Sequence, residues 1–267
     1  MTQKTAPLKV RILGCGPTWG VPCLGFGWGK CNPDNPKNRR QRSSILVEDG
    51  TTRLLIDASP DARAQLFTAK VDALDAILLT HEHADHTRGL DELGALSRFQ
   101  DKLLPIHASP KTFENVIKSV DYAFHAQNAH YLPFFSAHPF SDKSFTVGSL
   151  TIQPFLQDHG VTESWGFRIG DFAYSTDVVK MPEESFQVLE GVKVWVVDCL
   201  KRVPHLTHSH LTQTLEWIER VKPDRAILTH MSQDLDYDQL KAELPSHVEP
   251  AYDGLEIMVK SGEERKL

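Results

Sequence analysis

The chain has 267 residues, of which 40% are hydrophobic and 24% charged, a composition typical of a soluble globular protein. Its formal net charge of −6 gives no general attraction to nucleic acid, so no extensive nucleic-acid surface is expected. No stretch approaches the ~20 consecutive apolar residues that cross a bilayer, and residues 1–7 lack the apolar run of a signal peptide. The four cysteines form no CxxC pair, and we therefore expect no disulfide scaffold and a cytoplasmic location without membrane partners.

Short β-branched runs predict strands along the whole chain. In order, they cover residues 8–13, 44–47, 53–56, 76–79, 150–155, 165–169, 172–174, 193–197, 225–228 and 256–259. Asp49-Gly50 and Gly170-Asp171 punctuate neighbouring runs and indicate hairpins. Residues 14–42, rich in Gly, Pro and Asn, predict a long irregular loop.

Helical patterns occur at residues 60–67, 110–120 and 211–221. In the last of these, Leu211, Leu215 and Ile218 form an apolar stripe, Ser209 is a candidate N-cap, and Pro223 ends the pattern. Many hairpins with a few helices predict two packed sheets with helices outside. We expect this architecture to form a single domain over residues 1–267.

The apolar run at residues 76–79 leads directly into a loop that holds His81, His83, Asp85 and His86. A strand that ends in a polar loop is where α/β proteins place their chemistry. Imidazole and carboxylate are common ligands of zinc-like ions, and one such loop can serve two ions. The density of ligand types therefore predicts a metal site rather than a solvated polar loop.

Three later segments repeat this arrangement of a hydrophobic strand followed by a ligand-type residue. They end in His159, Asp177 and His230. A single His after a strand is usually an ordinary packing or surface residue, but three such residues in addition to the first loop favour a shared site.

The complete set resembles the metallo-β-lactamase superfamily, whose pattern is HxHxDH followed by a distant His, Asp and His. This resemblance implies a four-layer αββα sandwich of the α/β class, and a site for two divalent ions, Zn²⁺ or Mn²⁺. By the same resemblance, the ligands of the first ion are His81, His83 and His159. Those of the second are Asp85, His86 and His230, and Asp177 bridges the two.

Two ions about 3.5–4 Å apart would activate a water for attack and take up the charge that develops on the attacked centre. Asp85 both binds an ion and could accept the proton of that water, whereas Glu82 is expected to support the site or face solvent. The resemblance places Asp177 at the bridging position, where the β-lactamase branch has a Cys. This difference argues against the β-lactamase branch and leaves esters, thioesters and phosphodiesters as substrate classes.

His208 narrows the reaction further. It lies in a His-rich segment just before the helix predicted at 211–221, where an anion such as phosphate is favoured. A His can protonate a leaving alkoxide, which phosphodiester cleavage needs more than thioester cleavage does. The segment from 208 to 230 is similar to the phosphoribosyl cyclic phosphodiesterase family, in which a catalytic His precedes the last metal ligand by 22 residues. This similarity implies that His208, rather than His210, is the general acid and a substrate-binding residue.

One departure from that family concerns a separate structural zinc held by three Cys and a His. Here those positions fall at Phe26, Trp28, Cys31 and Gln233. We expect that zinc site to be absent, and Cys31 to remain as a lone thiol.

Residues 37–42 carry the densest basic run of the sequence, and Arg42 is the candidate in it for binding a substrate phosphate. The alternative is a solvated surface.

The whole pattern favours a hydrolase that cleaves a small or cyclic phosphodiester, nucleotide-like or a ribose cyclic phosphate. The alternatives are a tRNA 3′-processing nuclease and a non-catalytic metal-binding protein of quinone-cofactor biosynthesis, and a homodimer is left open.

Overall fold

The computed structural model describes residues 7–260. Residues 1–6, on which most of the prediction against a signal peptide depends, lie outside the described residues. Within that range, no helix combines the length and the apolar character needed to cross a membrane.

The strands lie close to their predicted positions, with four additional short ones. They are β1 (Leu8–Gly14), β2 (Ser44–Glu48), β3 (Arg53–Ile56), β4 (Ala76–Leu78), β5 (Leu104–Ala108), β6 (Phe135–Pro139), β7 (Phe145–Val147), β8 (Leu150–Asp158), β9 (Glu163–Ile169), β10 (Phe172–Ser175), β11 (Val194–Asp198), β12 (Arg225–Thr229), β13 (Val248–Pro250) and β14 (Glu256–Val259). The α-helices are α1 (Ala62–Thr68), α2 (Ala84–Thr87), α3 (Gly94–Gln100), α4 (Pro110–Phe124), α5 (Glu183–Leu189), α6 (Leu211–Val221) and α7 (Tyr237–Glu243).

These strands form two seven-stranded mixed sheets. The first sheet has the order β14-β1-β2-β3-β4-β5-β6, and the second has the order β13-β12-β11-β10-β9-β8-β7. In the first sheet, β14 to β3 are antiparallel and β3 to β6 are parallel. In the second, β7 to β10 are antiparallel and β10 to β13 are parallel. Each sheet therefore has a parallel half, whose carboxyl ends meet at one edge.

The alternation of side chains along the first sheet divides the core into two layers. Val10 and Ile12 pack with Phe167 of the second sheet, in a core between the sheets. Leu55 and its neighbours on the opposite face pack with Phe113 of α4 in a separate apolar cluster. Side chains of α5, α6 and α7 join the core on the side of the second sheet. The order helix–sheet–sheet–helix confirms the predicted αββα sandwich.

The beginning of α6 differs from its predicted cap. His210 is the N-cap residue and makes no side-chain capping bond, so the prediction of Ser209 at this position is wrong. The Ser209 hydroxyl instead donates to the backbone carbonyl of Asp198 at 2.6 Å, and this competing bond ties the helix entry to the end of β11.

After Gly14, the last residue of β1, the predicted irregular segment at 14–42 contains no β-strand and a single 3₁₀ turn, Pro36–Asn38. Its anchor is Arg40, a fully buried side chain whose guanidinium donates to the carbonyls of Ser232 at 2.9 Å and Leu235 at 2.6 Å. Because hydrogen bonds to a charged group are worth about 1.5–3 kcal/mol each, Arg40 fastens this segment to the loop after β12.

The positions discussed for a structural zinc lie in the same segment. Phe26 is exposed, whereas the Cys31 thiol is buried and donates to the carbonyl of Leu235 at 3.4 Å. Gly29 packs so closely on Gln233 that an added Cβ would lie 2.5 Å from its side chain. Here Cys31 and Gln233 take part in packing the two loops together.

Candidate metal centre

The first loop of candidate ligands begins where β4 ends. His81 follows the buried strand, and the short helix α2 presents Asp85 and His86 on adjacent positions of its first turns. His83 is the N-cap residue of that helix and is half-buried, whereas the other three side chains are buried. The chain thus turns inward as soon as it leaves the first sheet.

The second sheet contributes one residue from each of three strand ends. His159 follows β8, Asp177 follows β10 by two residues, and His230 follows β12. All three are buried, and both Asp177 (φ 54°) and His230 (φ 56°) have left-handed backbone conformations. Such conformations are uncommon for residues other than glycine, and here they turn the two side chains from their strands into the shared centre.

The structure brings together all seven residues that the sequence predicts as metal ligands. Their ligand atoms form two groups, within each of which the atoms lie no more than 4.8 Å apart. The groups are His81, His83, His159 and Asp177, and Asp85, His86, His230 and Asp177.

Asp177 belongs to both groups, and its two oxygens face different sides. Oδ1 lies 3.7 Å from His81 Nε2 and 3.5 Å from His159 Nε2. Oδ2 lies 3.1 Å from His86 Nε2. A carboxylate in this position can offer one oxygen to each of two ions, which is the arrangement expected of a bridge.

The outward nitrogens of the histidines are held by neighbouring groups of the chain. His86 Nδ1 lies 2.7 Å from an oxygen of the buried Asp57, and His81 Nδ1 lies 3.0 Å from the Thr80 hydroxyl, which itself bonds to Asp57. His230 Nδ1 lies 3.1 Å from Ser43 Oγ and also 3.3 Å from Asp177 Oδ2. Such partners fix the tautomer and the orientation of a metal-binding imidazole.

The inward atoms satisfy a direct test of metal fit. Nε2 of His81, His86 and His230, and Oδ2 of Asp85, are buried and have no hydrogen-bond partner among residues 7–260. Unpaired buried polar atoms are costly in a folded protein. Four of them converging with Asp177 match the donor set of zinc-like ions, so these residues fit divalent metal ions.

The electrostatics of the cluster are consistent with a cation site. Although burial raises the pKa of Asp177, the surrounding His230 and His86 hold it well below its ordinary value. Burial, followed by the neighbouring His86, lowers the pKa of His81 well below its usual range. An ionised Asp177 carboxylate and a neutral His81 imidazole are the protonation states in which these side chains bind a metal.

His208 lies directly beside this cluster. Its ring stacks on His230 with centroids 4.7 Å apart, and its Nε2 lies 3.8 Å from Asp177 Oδ1. Its Nδ1 lies 3.5 Å from an oxygen of Asp198. Burial lowers the pKa of His208, but Asp198 and Asp177 outweigh it and raise the pKa to about 9. These two carboxylates therefore favour the protonated form of the imidazole.

Sequence reasoning assigned no role to Asp57, which contacts His86 at 2.7 Å, or to Asp198, which lies 3.5 Å from His208. Each is fully buried, and each lies at the carboxyl end of an apolar strand, Asp57 just after β3 and Asp198 as the last residue of β11. The signal was the same one that identified His81 and Asp177, namely a polar residue at the end of a buried strand. Glu82, expected to support the site or face solvent, accepts a hydrogen bond from the Thr162 hydroxyl at 2.8 Å.

Arg42 lies near the centre but already has a protein partner. Its Nη2 and Nε donate to the two oxygens of Asp61 at 2.6 and 2.8 Å. The hydrogen bonds and the charge of Asp61 raise the pKa of Arg42, and the charge of Asp85, a metal-ligand candidate, adds a smaller contribution. Its binding of a substrate phosphate stays a prediction.

Comparison with known proteins agrees with the fold. A family model described as the β-lactamase superfamily domain matches residues 52–231. The chain belongs to the metallo-β-lactamase superfamily. It is similar to a crystal structure described as a new diphosphatase from the PhnP family, with 31% identity, a TM-score of 0.87, and coverage of 94% of this chain and 97% of that one. Within the superfamily, the chain is therefore close to PhnP.

Two curated proteins are also similar in sequence. An octanoyltransferase from Porphyromonas gingivalis is 31% identical over 256 residues, which cover 94% of this chain and 52% of that protein. A ribonuclease Z from Bradyrhizobium sp. is 30% identical over 136 residues, which cover 49% of this chain and 45% of that protein. The chain spans about half the length of these curated relatives.

Proposed function

We propose that this chain is a phosphodiesterase that binds two divalent ions, zinc or manganese, and cleaves a small or cyclic phosphodiester. The position of His208 carries the proposal: its Nε2 is directed at the bridging Asp177, while its Nδ1 faces Asp198. A protonated imidazole beside the ions meets the need of an alkoxide leaving group for a proton. A thiolate leaving group needs this proton far less, so the arrangement favours phosphodiesters over thioesters.

The metal ions, when bound, lower the pKa of an attacking water and neutralise charge on the phosphoryl group. The chain's own contribution is to fix their positions. Asp177 would belong to both donor sets, which His81, His83 and His159 would complete on one side and Asp85, His86 and His230 on the other. Asp85 is the candidate proton acceptor for the water, since its buried Oδ2 is directed into the centre.

His208 supplies the proton to the leaving oxygen, on the side of the phosphoryl group opposite to the attacking water. The Asp198 carboxylate faces Nδ1 at 3.5 Å and stabilises the positive charge of the ring, which leaves the Nε2 proton available to a leaving oxygen. The Asp198 carboxylate is itself held, because it accepts a bond from the backbone N–H of Ser209 at 2.9 Å. This bond keeps the Asp198 carboxylate in place beside the imidazole.

A tRNA 3′-processing nuclease is the second candidate, favoured by the similarity to ribonuclease Z. The basic run of residues 37–42 argues against it. Lys37 lies over the rings of Tyr237 and Tyr252, Arg40 is buried, and Arg42 pairs with Asp61. Because these cations face different partners, they form no continuous surface for a phosphate backbone. A gel-shift titration with tRNA tests this candidate, and we expect no binding at physiological salt.

Hydrolysis assays separate the remaining possibilities. We expect turnover of bis(p-nitrophenyl) phosphate and of ribose cyclic phosphates in Zn²⁺ or Mn²⁺, and none of thioesters. Turnover of thioesters without any phosphodiester would overturn the proposal. Elemental analysis of protein purified without chelator should find two ions per chain and identify the metal. A chain that holds metal but hydrolyses no substrate of either class would support the non-catalytic metal-binding role.

A further inference from the structure

Two side chains from β8 and β9 hold the backbone on both sides of Asp177. Gln157 and Ser164 face each other across these two strands, and both are fully buried. Nε2 of Gln157 donates to the carbonyl of Thr176 at 2.9 Å. The Ser164 hydroxyl donates to the carbonyl of Asp177 at 2.7 Å. Each of the two peptide groups that flank the Asp177 Cα therefore has its carbonyl bonded to one of these side chains.

The direction of every hydrogen bond in this arrangement is defined. A carbonyl can only accept, so the hydroxyl proton of Ser164 points to Asp177, and the hydroxyl oxygen is left to accept from the Gln157 amide at 3.0 Å. The reverse orientation of the amide would place its oxygen against the carbonyl of Thr176, which is also an acceptor. The three bonds therefore form one chain with a single arrangement of protons.

This chain of bonds acts on an uncommon backbone conformation. The φ of Asp177 is 54°, in the left-handed region that residues other than glycine seldom occupy. Because peptide groups are planar, holding the plane before Asp177 and the plane after it fixes both of its backbone dihedral angles, and with them the direction of its Cα–Cβ bond. The Thr176 hydroxyl then donates to Asp177 Oδ2 at 2.7 Å and orients the carboxylate itself.

The Gln157 side chain is buried here at a cost to stability. Its Oε1 has no hydrogen-bond partner in the described part of the chain, and an unpaired buried oxygen is unfavourable. Gly166 leaves room for the amide, since an added Cβ would lie 2.8 Å from Oε1 and 2.2 Å from the ring of Phe155. An apolar side chain of similar length would leave no oxygen unpaired. The two N–H donors of the amide, rather than packing, therefore account for a glutamine at this position.

We propose that Gln157 and Ser164 are positioning residues for metal binding, which act through Asp177 and thereby set the affinity for both ions. The inference rests on the two-ion site of the proposed function, and it adds the residues that orient the candidate bridge. Because Asp177 belongs to both groups of ligand candidates, loosening its backbone weakens both groups together.

Titration of the full chain, stripped of metal by dialysis, with Zn²⁺ in competition with a chromophoric chelator tests this role. Ser164→Ala and Gln157→Met remove the donors and should each lower the affinity for both ions by about 10- to 100-fold, the usual effect of losing a partner that orients a metal ligand. The double variant should bind metal little more weakly than the weaker single variant, because both residues hold the same turn. Ser164→Thr keeps the hydroxyl and should retain most of the affinity.

Ser185→Ala is the matched control. Ser185 is buried, and its hydroxyl donates to the carbonyl of Leu156 at 2.5 Å. The same substitution thus removes the same kind of bond beside β8 without releasing Asp177. It should lower the midpoint of thermal unfolding much as Ser164→Ala does, while the affinity for each ion stays within about 3-fold of wild type, below the effect of a lost orienting partner.

The outcomes separate positioning from structural support and from the proposed reaction. Metal affinities in Ser164→Ala and Gln157→Met that equal those of wild type, fall for one ion alone, or fall no further than in Ser185→Ala would overturn the positioning role. Wild-type protein that binds fewer than two ions would remove the two-ion site and the positioning role with it. Wild-type protein that binds two ions but hydrolyses no phosphodiester would remove the proposed reaction, and the expected affinity differences would still establish the positioning role.

Discussion

The first sheet delivers His81, His83, Asp85 and His86 from one loop after β4, whereas the second sheet delivers its ligands from three separate strand ends. The second sheet also carries Asp198 and the loop with His208, so the proposed proton chemistry lies on that side. The first sheet thus supplies a compact set of metal donors. The second supplies the candidate bridge and the proposed acid, and only the packing of the two sheets brings these residues into one site.

The sharpest test of this division is the residue that both ligand groups share. Asp177→Ala should lose both ions, because each group loses an oxygen and the spacing between the ions is no longer fixed. The loss of activity should exceed the roughly 10²–10⁴-fold expected for removal of a general acid. Elemental analysis and the bis(p-nitrophenyl) phosphate assay measure the two effects. Asp142→Ala, at an exposed position, is the control, and an Asp177→Ala protein with two tightly bound ions would contradict the bridging role.

Substitution of His208, the proposed acid, should lower the catalytic rate without affecting metal binding. His208→Ala should retain both ions yet lose about 10²–10⁴-fold in kcat for an alkoxide leaving group. The loss should be smaller for p-nitrophenolate, a better leaving group that needs less protonation. The exposed His247 provides a control substitution to Ala. Wild-type rates in the His208 variant would remove this residue from the mechanism.

The supporting carboxylates compare the two sheets directly. Asp57→Asn weakens the partner of His86 and should lower metal affinity by about 10–100-fold. Asp198→Asn weakens the partner of His208 and should lower kcat by about 10–100-fold while metal affinity is unchanged. Metal titrations and steady-state kinetics on both variants provide the measurements. Equal metal loss in the two variants would contradict the assignment of Asp57 to metal binding and of Asp198 to proton transfer.

Arg42 gives the smallest expected effect. If it binds the substrate phosphate as predicted, Arg42→Met should raise KM by about 10-fold, the worth of one bond to a charged group. Asp61→Asn is the matched control, because it loosens the ion pair and retains the guanidinium. An unchanged KM with a lowered midpoint of thermal unfolding would instead assign Arg42 to holding Asp61 and the entry of α1.

Much of the fold could be predicted because its strands are regular apolar runs. The strands that escaped prediction are short, and three of them contain prolines or few apolar side chains: β5 (LPIHA), β6 (FSAHP) and β13 (VEP). They extend the parallel halves of the sheets or form their edges, where tertiary pairing decides the conformation and local propensity is weak. The helix at 211–221 was predictable to its bounds, since its apolar stripe is clear and Lys222 (φ 54°) and Pro223 follow it.

The site was predictable to the extent that its residues share one simple signal. Every candidate ligand either lies in the contiguous loop or follows an apolar strand, and the structure brings them all together. The supports were not predictable in the same way. Ser43 contacts His230 across 187 positions of the chain, and the carbonyl of Thr207 contacts His159 across 48. No local pattern distinguishes such a serine or such a backbone carbonyl from any other.

The buried guanidinium of Arg40 has a consequence for how the protein is made. It joins position 40 to the loop just beyond His230, 192 and 195 positions later in the chain. Until both are present, the second group of metal-ligand candidates lacks His230, and the loop after β12 lacks its hydrogen bonds to Arg40. Acquisition of the full metal complement must therefore follow synthesis of the loop after β12.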